Sequence, residues 1–207
     1  GAQSLDDSVL SASGRGHTSA DTVQASRLLK DAGFSLILQM MTGLPGSDER
    51  KDIETAKKIS ELRPDGVRIY PTVIVRNTPL ADMWRSGQYR EHTVKDAVRV
   101  CADILPIFER AGIPVIRLGL NPSRELEKGV LAGAYHPALG ELVLSERFLR
   151  LARKQISRQW RGHRVKLRVH PRRVSAMTGQ HRRNLTTLME EYGLTGLRVE
   201  ADALGEW

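Results

Sequence analysis

The chain has 207 residues, enough for one sizeable domain and a smaller one, and its hydrophobic fraction of 40% is ordinary for a globular protein. No apolar run approaches the roughly 20 residues of a membrane helix and no secretory signal opens the chain, so we expect a cytoplasmic protein with no membrane partner. The single cysteine, Cys101, excludes a disulfide framework and a multi-cysteine metal site, so no metal ligand is assigned in this chain.

The net charge of +8 is concentrated in the last third of the chain. Residues 1–144 carry 18 basic and 18 acidic side chains, whereas residues 145–207 carry 14 and 6. Residues 147–183 alone contain 13 basic side chains and no acidic one. Such a run is either a solvated surface or a surface that binds a polyanion, and its one-sided charge favours the polyanion.

The first 122 residues alternate between helical and strand patterns. The helices are predicted near residues 20–32, 48–62 and 93–112, and the strands near 34–41, 66–75 and 113–120. In the first helix we expect Val23, Leu28, Leu29 and Ala32 to form the buried face. Short, apolar strands that alternate with helices indicate a parallel sheet covered by helices, so the predicted class is α/β.

The remaining sequence has a different pattern. Residues 124–140 are predicted to be irregular and residues 139–160 to be helical. A strand at 165–169, helices at 172–177 and 182–192, and a strand at 197–200 that pairs with the first strand of this segment predict a small basic α+β module. The expected organisation is therefore a domain at 1–122, a linker and helix at 123–160, and the module at 161–207.

Several polar residues lie where the first strands end, which is where α/β proteins bind ligands. Gln39 is the polar residue in an apolar strand, so its amide contacts either a ligand or another buried group. Arg15, just before a helix, either binds a carboxylate through two hydrogen bonds or is solvated. The Gly43-Leu44-Pro45-Gly46 turn resembles a phosphate cradle but lacks the lysine of a P-loop.

A glycine-led basic turn separates the two helices of the module. Gly179 is followed by Gln180, Arg182 and Arg183, and this arrangement resembles the GxxG loop of KH modules, which clamps a nucleic-acid backbone, although the second glycine is missing. With Arg172 and Arg173 in the preceding helix, these residues are the predicted nucleic-acid contacts. The alternative is again a solvated basic surface.

Four motifs in order, GAQS at 1–4, GRGHT at 14–18, QMMTGLPG at 39–46 and VRIYPT at 67–72, resemble those of radical S-adenosylmethionine enzymes. The similarity is greatest to the Elongator catalytic subunit and its short bacterial relatives, and it covers roughly residues 1–145. It implies the second half of a partial (β/α)6, TIM-like barrel, followed here by the KH-like module. It also implies that Gln3, Arg15, Gln39 and Met41 contact S-adenosylmethionine.

The resemblance further implies a [4Fe-4S] cluster, but the CxxxCxxC motif that binds it is absent from this sequence. We therefore expect the cluster ligands to lie in an N-terminal portion outside these residues. The implied function is tRNA modification by an enzyme that needs a reductant protein and binds tRNA or another RNA through the basic module. The alternatives are a non-catalytic RNA-binding protein on an α/β scaffold and a radical enzyme acting on a small metabolite.

Overall fold

The computed structural model describes residues 1–202 of the chain. The chain divides into two compact units, Gly1–Leu139 and Gly140–Trp207. Within the described residues, every helix is too short or too polar to cross a membrane. The predicted division into segments 1–122, 123–160 and 161–207 stays a prediction.

A parallel sheet forms the centre of the first unit. The strands of this unit are β1 (Ile37–Thr42), β2 (Gly66–Pro71), β3 (Val73–Val75), β4 (Val115–Leu118) and β5 (Val130–Gly133). Strands β1, β2 and β4 are parallel in the order β1-β2-β4, which confirms the predicted α/β class. Gln3 extends the sheet beyond β1 through a single parallel bridge to Met40. Strands β3 and β5 form a separate antiparallel pair.

Helices cover one face of this sheet. The helices of the first unit are α1 (Asp7–Ala12), α2 (Ser19–Asp31), α3 (Glu49–Glu61), α4 (Pro79–Arg85), α5 (Val94–Arg110) and α6 (Arg124–Gly129). Leu38, Met40 and Thr42 of β1 are buried, whereas Gln39 and Met41 are only partly buried. Because successive strand residues point to opposite faces, Gln39 and Met41 share the face that the buried residues of β1 do not occupy.

The second unit is a strand–helix–helix–strand module attached to a long helix. Its elements are α7 (Leu139–Gln155), β6 (Arg164–Val169), α8 (Val174–Thr178), α9 (Arg183–Tyr192) and β7 (Gly196–Ala201). Short 3-10 turns at Arg158–Trp160, Pro171–Arg173 and Gln180–Arg182 connect them. The predicted pairing of β7 with β6 is present, and the two strands are parallel. Met177, Leu185, Leu188 and Leu197 pack with α7 in the core.

The prediction that the apolar residues of α2 form its buried face is wrong. The helix buries Thr22 and Ser26, whereas Leu28 is 62% exposed and Leu29 is 43% exposed. The two buried residues are four positions apart, so the helical period is present but the small polar side chains lie on the inner face. Ser26 satisfies its buried hydroxyl by donating a hydrogen bond to the carbonyl of Thr22 at 2.7 Å.

The prediction that residues 124–140 are irregular is also wrong, because α6 and β5 lie within this segment. Strand β5 forms by pairing with β3, which is more than fifty residues away in the sequence, so no local pattern reveals it. Gly133 makes this pairing possible. Its φ is +103°, and a Cβ there would lie 2.8 Å from the Cα of Val73, so only glycine fits without a shift of the backbone.

Candidate functional site

Two of the predicted site residues, Gln3 and Gln39, are joined at the edge of the parallel sheet. The backbone N–H of Gln3 donates to the Gln39 carbonyl at 2.9 Å, and the Gln3 carbonyl accepts from the Met41 N–H at 2.8 Å. The side-chain Nε2 of Gln39 donates to Gln3 Oε1 at 3.2 Å. Gln3 has a φ of +60°, a strained conformation for a residue with a side chain and one that is common at functional sites.

The other two predicted residues, Arg15 and Met41, also contact one another. Arg15 follows the C-terminal turn of α1, and its Nη2 lies 3.7 Å from the Sδ of Met41. His17 lies beside them and contacts the Ala2 carbonyl through Nε2 at 3.3 Å. The structure therefore gathers Gln3, Arg15, Gln39 and Met41 into one cluster, although their binding of a cofactor stays a prediction.

A buried carboxylate, Asp52, organises the glycine turn that follows β1. Asp52 is 4% exposed and accepts hydrogen bonds from the Gly43 N–H at 2.9 Å and from the Ser47 hydroxyl at 2.5 Å. Burial raises the pKa of Asp52 to about 6, since the two hydrogen bonds only partly offset the loss of water. The turn is thus held by its own helix and does not need a phosphate to order it.

His92 and Tyr89 hold the same turn from the other side of a cavity of about 450 Å³. Nε2 of His92 lies 3.1 Å from Thr42 Oγ1, and the Tyr89 hydroxyl donates to the Gly43 carbonyl at 2.6 Å. Burial lowers the pKa of His92 to about 4 and raises the pKa of Tyr89 to about 12. At neutral pH both side chains are therefore uncharged.

Sequence reasoning missed this group of side chains around the glycine turn. One signal was present: Asp52 lies at helical spacing with Ala56 and Ile59, which are fully buried, so a carboxylate occupies the apolar stripe of α3. No comparable signal marked His92 or Tyr89, because both lie in the connection between α4 and α5. Only the folded chain brings them to the turn.

The residues of this chain do not fit an iron–sulfur cluster. Cys101 is fully buried in α5, and burial raises the pKa of its thiol to about 12, whereas cluster ligation needs accessible thiolates. Within residues 1–202, no group of three or more His, Cys, Asp and Glu side chains could hold a metal ion. S-adenosylmethionine is different, because the Arg15 guanidinium and the two glutamine amides match its carboxylate and hydroxyl groups.

The predicted nucleic-acid contacts lie in two short turns of the second unit and at the start of α9. Arg172 and Arg173 belong to the turn before α8, Gln180 and Arg182 belong to the turn before α9, and Arg183 is the first residue of α9. All five side chains are exposed, and none of the four arginines forms an ion pair with another described residue. The guanidinium groups are therefore available to an anion from solvent.

The glycine-led turn has an unusual backbone. Gly179 has a φ of +73°, and His181 and Arg182 also have positive φ values, of +51° and +61°. The turn is anchored by Asn184, which is 4% exposed and donates through Nδ2 to the Ser145 carbonyl at 2.9 Å. A buried amide thus fixes a turn whose basic side chains face water.

Comparison with known proteins relates the chain to one family. Residues 64–149 match the Radical_SAM C-terminal domain. A tRNA uridine(34) acetyltransferase of Methanocaldococcus jannaschii is 37% identical over 150 residues, which cover 69% of this chain and 26% of that protein. Elongator complex protein 3 of Homo sapiens is 36% identical over 149 residues, which cover 70% of this chain and 26% of that protein.

The structural comparison agrees with these similarities. The solved structure of archaeal Methanocaldococcus infernus Elp3 with an N-terminal deletion matches with a TM-score of 0.61 and 28% identity, covering 76% of this chain and 36% of that one. The chain spans about a quarter of the length of the curated relatives it matches. Residues 64–149 thus match a radical SAM C-terminal domain, and the chain is homologous over about 150 residues to part of Elongator protein 3.

Proposed function

We propose that this chain is a section of a radical S-adenosylmethionine enzyme that modifies tRNA. The observation that carries the proposal is the 37% identity to a tRNA uridine(34) acetyltransferase along 150 residues. On this proposal, the parallel sheet of the first unit is the second half of a partial (β/α)6 barrel. The ligand end of that barrel is the edge at which Gln3 and β1 present their polar side chains.

Four residues would hold S-adenosylmethionine, which when bound and reduced supplies a 5′-deoxyadenosyl radical. Arg15 would bind the carboxylate with two parallel N–H···O hydrogen bonds. Gln39 Nε2 already donates to Gln3 Oε1, so Gln3 Nε2 and Gln39 Oε1 are the donor and the acceptor that can meet ribose hydroxyls. Met41, in contact with Arg15, would pack against the adenine.

The cluster that reduces the cofactor would be bound by residues outside this chain, and a reductant protein would supply the electron. Nothing in residues 1–202 resembles a set of cluster ligands, and Cys101 is a core residue. The contribution of this chain to catalysis is accordingly to bind and orient S-adenosylmethionine and to hold the RNA. Its four exposed, unpaired arginines at 172, 173, 182 and 183 are the proposed RNA contacts.

The proposal is tested on the complete gene product, reconstituted with iron and sulfide without oxygen and reduced with dithionite. We expect cluster absorbance and release of 5′-deoxyadenosine from S-adenosylmethionine. Replacing Arg15 by Gln removes the charge-assisted pair with the carboxylate, which is worth about 1.5–3 kcal/mol, so affinity for S-adenosylmethionine in equilibrium dialysis falls roughly tenfold or more.

The matched control is Arg27→Gln, because Arg27 is an exposed arginine on α2, away from the cluster of Gln3, Arg15, Gln39 and Met41. This variant should bind S-adenosylmethionine as the unsubstituted protein does. A gene product without cluster absorbance and without 5′-deoxyadenosine would contradict the proposal. Binding of tRNA by such a product would favour the second candidate, a non-catalytic RNA-binding protein, for which the exposed arginines are the supporting observation.

A further inference from the structure

The open face of the parallel sheet carries two arginines, Arg68 of the VRIYPT motif and Arg117, and neither is among the predicted site residues. Arg68 on β2 pairs in register with Gln39 on β1 and with Arg117 on β4. Residues in register on adjacent parallel strands share a face and lie about 5 Å apart. Gln39, Arg68 and Arg117 therefore form a row across three strands, and Gln3 continues it through its hydrogen bond to Gln39.

Both arginines are exposed, and neither forms an ion pair with any residue between 1 and 202. Arg117 donates from Nη1 to the Asn121 side-chain oxygen, which carries no charge. Two like charges on neighbouring strands destabilise a sheet unless a counter-charge lies between them. An anion bound between Arg68 and Arg117 would therefore reduce the repulsion between the two guanidinium groups.

The surroundings of the pair favour an anion that is part of a larger, partly apolar molecule. Two residues toward the amino end, Ile37 pairs with Gly66, and Ile116 lies where the register of β4 against β2 shifts; these two isoleucines are 43% and 49% exposed and flank Gly66. Two residues in the other direction lie Met41 and Tyr70, which are partly buried. The two arginines therefore lie beside Gln39, which is proposed to contact S-adenosylmethionine, with the apolar Ile37 and Ile116 on one side and Met41 and Tyr70 on the other.

We propose that Arg68 and Arg117 form a phosphate subsite that holds a backbone phosphodiester of the substrate RNA beside the cofactor. This inference rests on the proposed function, since it assigns a position in that same site to the RNA. Arginine binds phosphate oxygens through parallel hydrogen bonds, and the neighbouring isoleucines can pack against a ribose or a base. The subsite brings the substrate, and not only the cofactor, to the open face of the sheet.

The test measures binding of a fluorescein-labelled tRNA transcript to the full chain by anisotropy, over a series of salt concentrations and without S-adenosylmethionine. Replacing Arg68 and Arg117 by Gln removes two phosphate contacts, so affinity falls roughly tenfold and the slope of log K against log salt falls by about 1.4. Arg68→Lys with Arg117→Lys keeps both charges and should retain most of the slope.

Two comparison variants make the outcome specific. Arg50→Gln with Arg110→Gln removes the same charge from exposed positions on α3 and α5 and should leave affinity and slope unchanged. Thermal unfolding monitored by circular dichroism establishes that each variant is folded. The subsite would be overturned if the Arg68/Arg117 and Arg50/Arg110 variants lost tRNA affinity equally, or if the Arg68/Arg117 variant lost none.

Failure of the subsite is distinguishable from failure of the proposed function. If tRNA binding depends on Arg172, Arg173, Arg182 and Arg183 but not on Arg68 and Arg117, the subsite is wrong and RNA binding by the second unit stands. If the Arg68/Arg117 variant loses affinity for S-adenosylmethionine but keeps the salt slope for tRNA, the pair holds the cofactor carboxylate, and the subsite is again wrong. If the unsubstituted chain shows no salt-dependent tRNA binding, both proposals fail.

Discussion

Asp52, which is buried, and His92, which is partly buried, contact the glycine turn, and desolvation shifts their pKa values in opposite directions. The pKa of Asp52 rises from 3.8 to about 6, so its contribution to stability is complete below pH 3.8 and is lost as pH rises through 6. The pKa of His92 falls from 6.5 to about 4, so its contribution is complete above pH 6.5 and is lost as pH falls through 4. Between pH 4 and pH 6 the two effects oppose one another.

Replacing either residue should expose the pH dependence of the other. Each shift corresponds to about 3 kcal/mol. In Asp52→Asn, His92 remains, so the free energy of unfolding should decrease, relative to the unsubstituted chain, as pH falls from 6.5 to 4. In His92→Gln, Asp52 remains, so the free energy should decrease as pH rises from 4 to 6. Urea unfolding followed by circular dichroism measures both.

Comparing the two variants with each other removes the contribution of the other carboxylates, which titrate equally in both. The decisive result is therefore the sign of the change in the free energy of unfolding with pH in each variant. Parallel pH profiles for Asp52→Asn and His92→Gln would contradict the assignment of opposite shifts. Both variants keep a side chain of similar size, and the Gln amide replaces the ring nitrogen that contacts Thr42. A loss of packing therefore does not account for a change of the free energy of unfolding with pH.

At the scale of single elements, α5 shows how a local signal sets a helix boundary. Thr93 accepts a hydrogen bond from the Asp96 N–H at 3.1 Å, and Asp96 accepts one from the Thr93 N–H at 3.2 Å. These two reciprocal hydrogen bonds form a capping box, which the Thr93-Val94-Lys95-Asp96 sequence allows. The helix then runs to Arg110 with Pro106 inside it, because its buried face, which includes the fully buried Phe108, packs into the core.

Loss of this cap should destabilise the first unit measurably. Thr93→Ala leaves the Asp96 N–H without its acceptor, so we expect a loss of about 1 kcal/mol in the free energy of urea unfolding. Lys95→Ala is the control, since Lys95 is exposed in the same helical turn and should change stability by less than about 0.5 kcal/mol. Equal effects of the two substitutions would show that the cap is not what stabilises the start of α5.

At the scale of the whole molecule, the net positive charge lies almost entirely in one of the two units. Residues 147–183 carry 13 basic side chains and no acidic one, and four of them without ion pairs among the described residues are exposed in the turns before α8 and α9 and at the first residue of α9. Some other cations of this unit are compensated: Lys166 pairs with Glu200 at 2.9 Å and Arg153 with Glu191 at 2.5 Å. Four cations without an ion pair among the described residues therefore lie at the two turns and the start of α9, and Lys154, Arg158, Arg161 and Arg164 of the same unit are exposed as well.

If these turns bind RNA, the four arginines should determine the salt dependence of binding. Replacing Arg172, Arg173, Arg182 and Arg183 together by Gln should weaken tRNA binding and lower the slope of log K against log salt by about 3. The control replaces four exposed arginines of the first unit, Arg27, Arg50, Arg63 and Arg110. An unchanged slope in the first variant, measured by anisotropy, would end the nucleic-acid interpretation of the second unit.

The sequence by itself determined the class of the fold and the four residues, Gln3, Arg15, Gln39 and Met41, that the structure brings together. Alternating strand and helix patterns are local, so β1, β2, α3 and α5 could be predicted from periodicity, caps and breakers. The motifs containing Gln3, Arg15, Gln39 and Met41 could be recognised because each is contiguous. The basic run was likewise visible as composition.

Only the tertiary structure decided which distant residues meet. Strand β5 needs β3 as a partner, the small polar side chains of α2 lie inside because of how that helix packs, and His92 reaches Thr42 across fifty residues. The row of Gln39, Arg68 and Arg117 depends on the register of three strands, and a shift by one residue would turn these side chains to the opposite face. Register and burial are properties of contacts between segments, and no single segment encodes them.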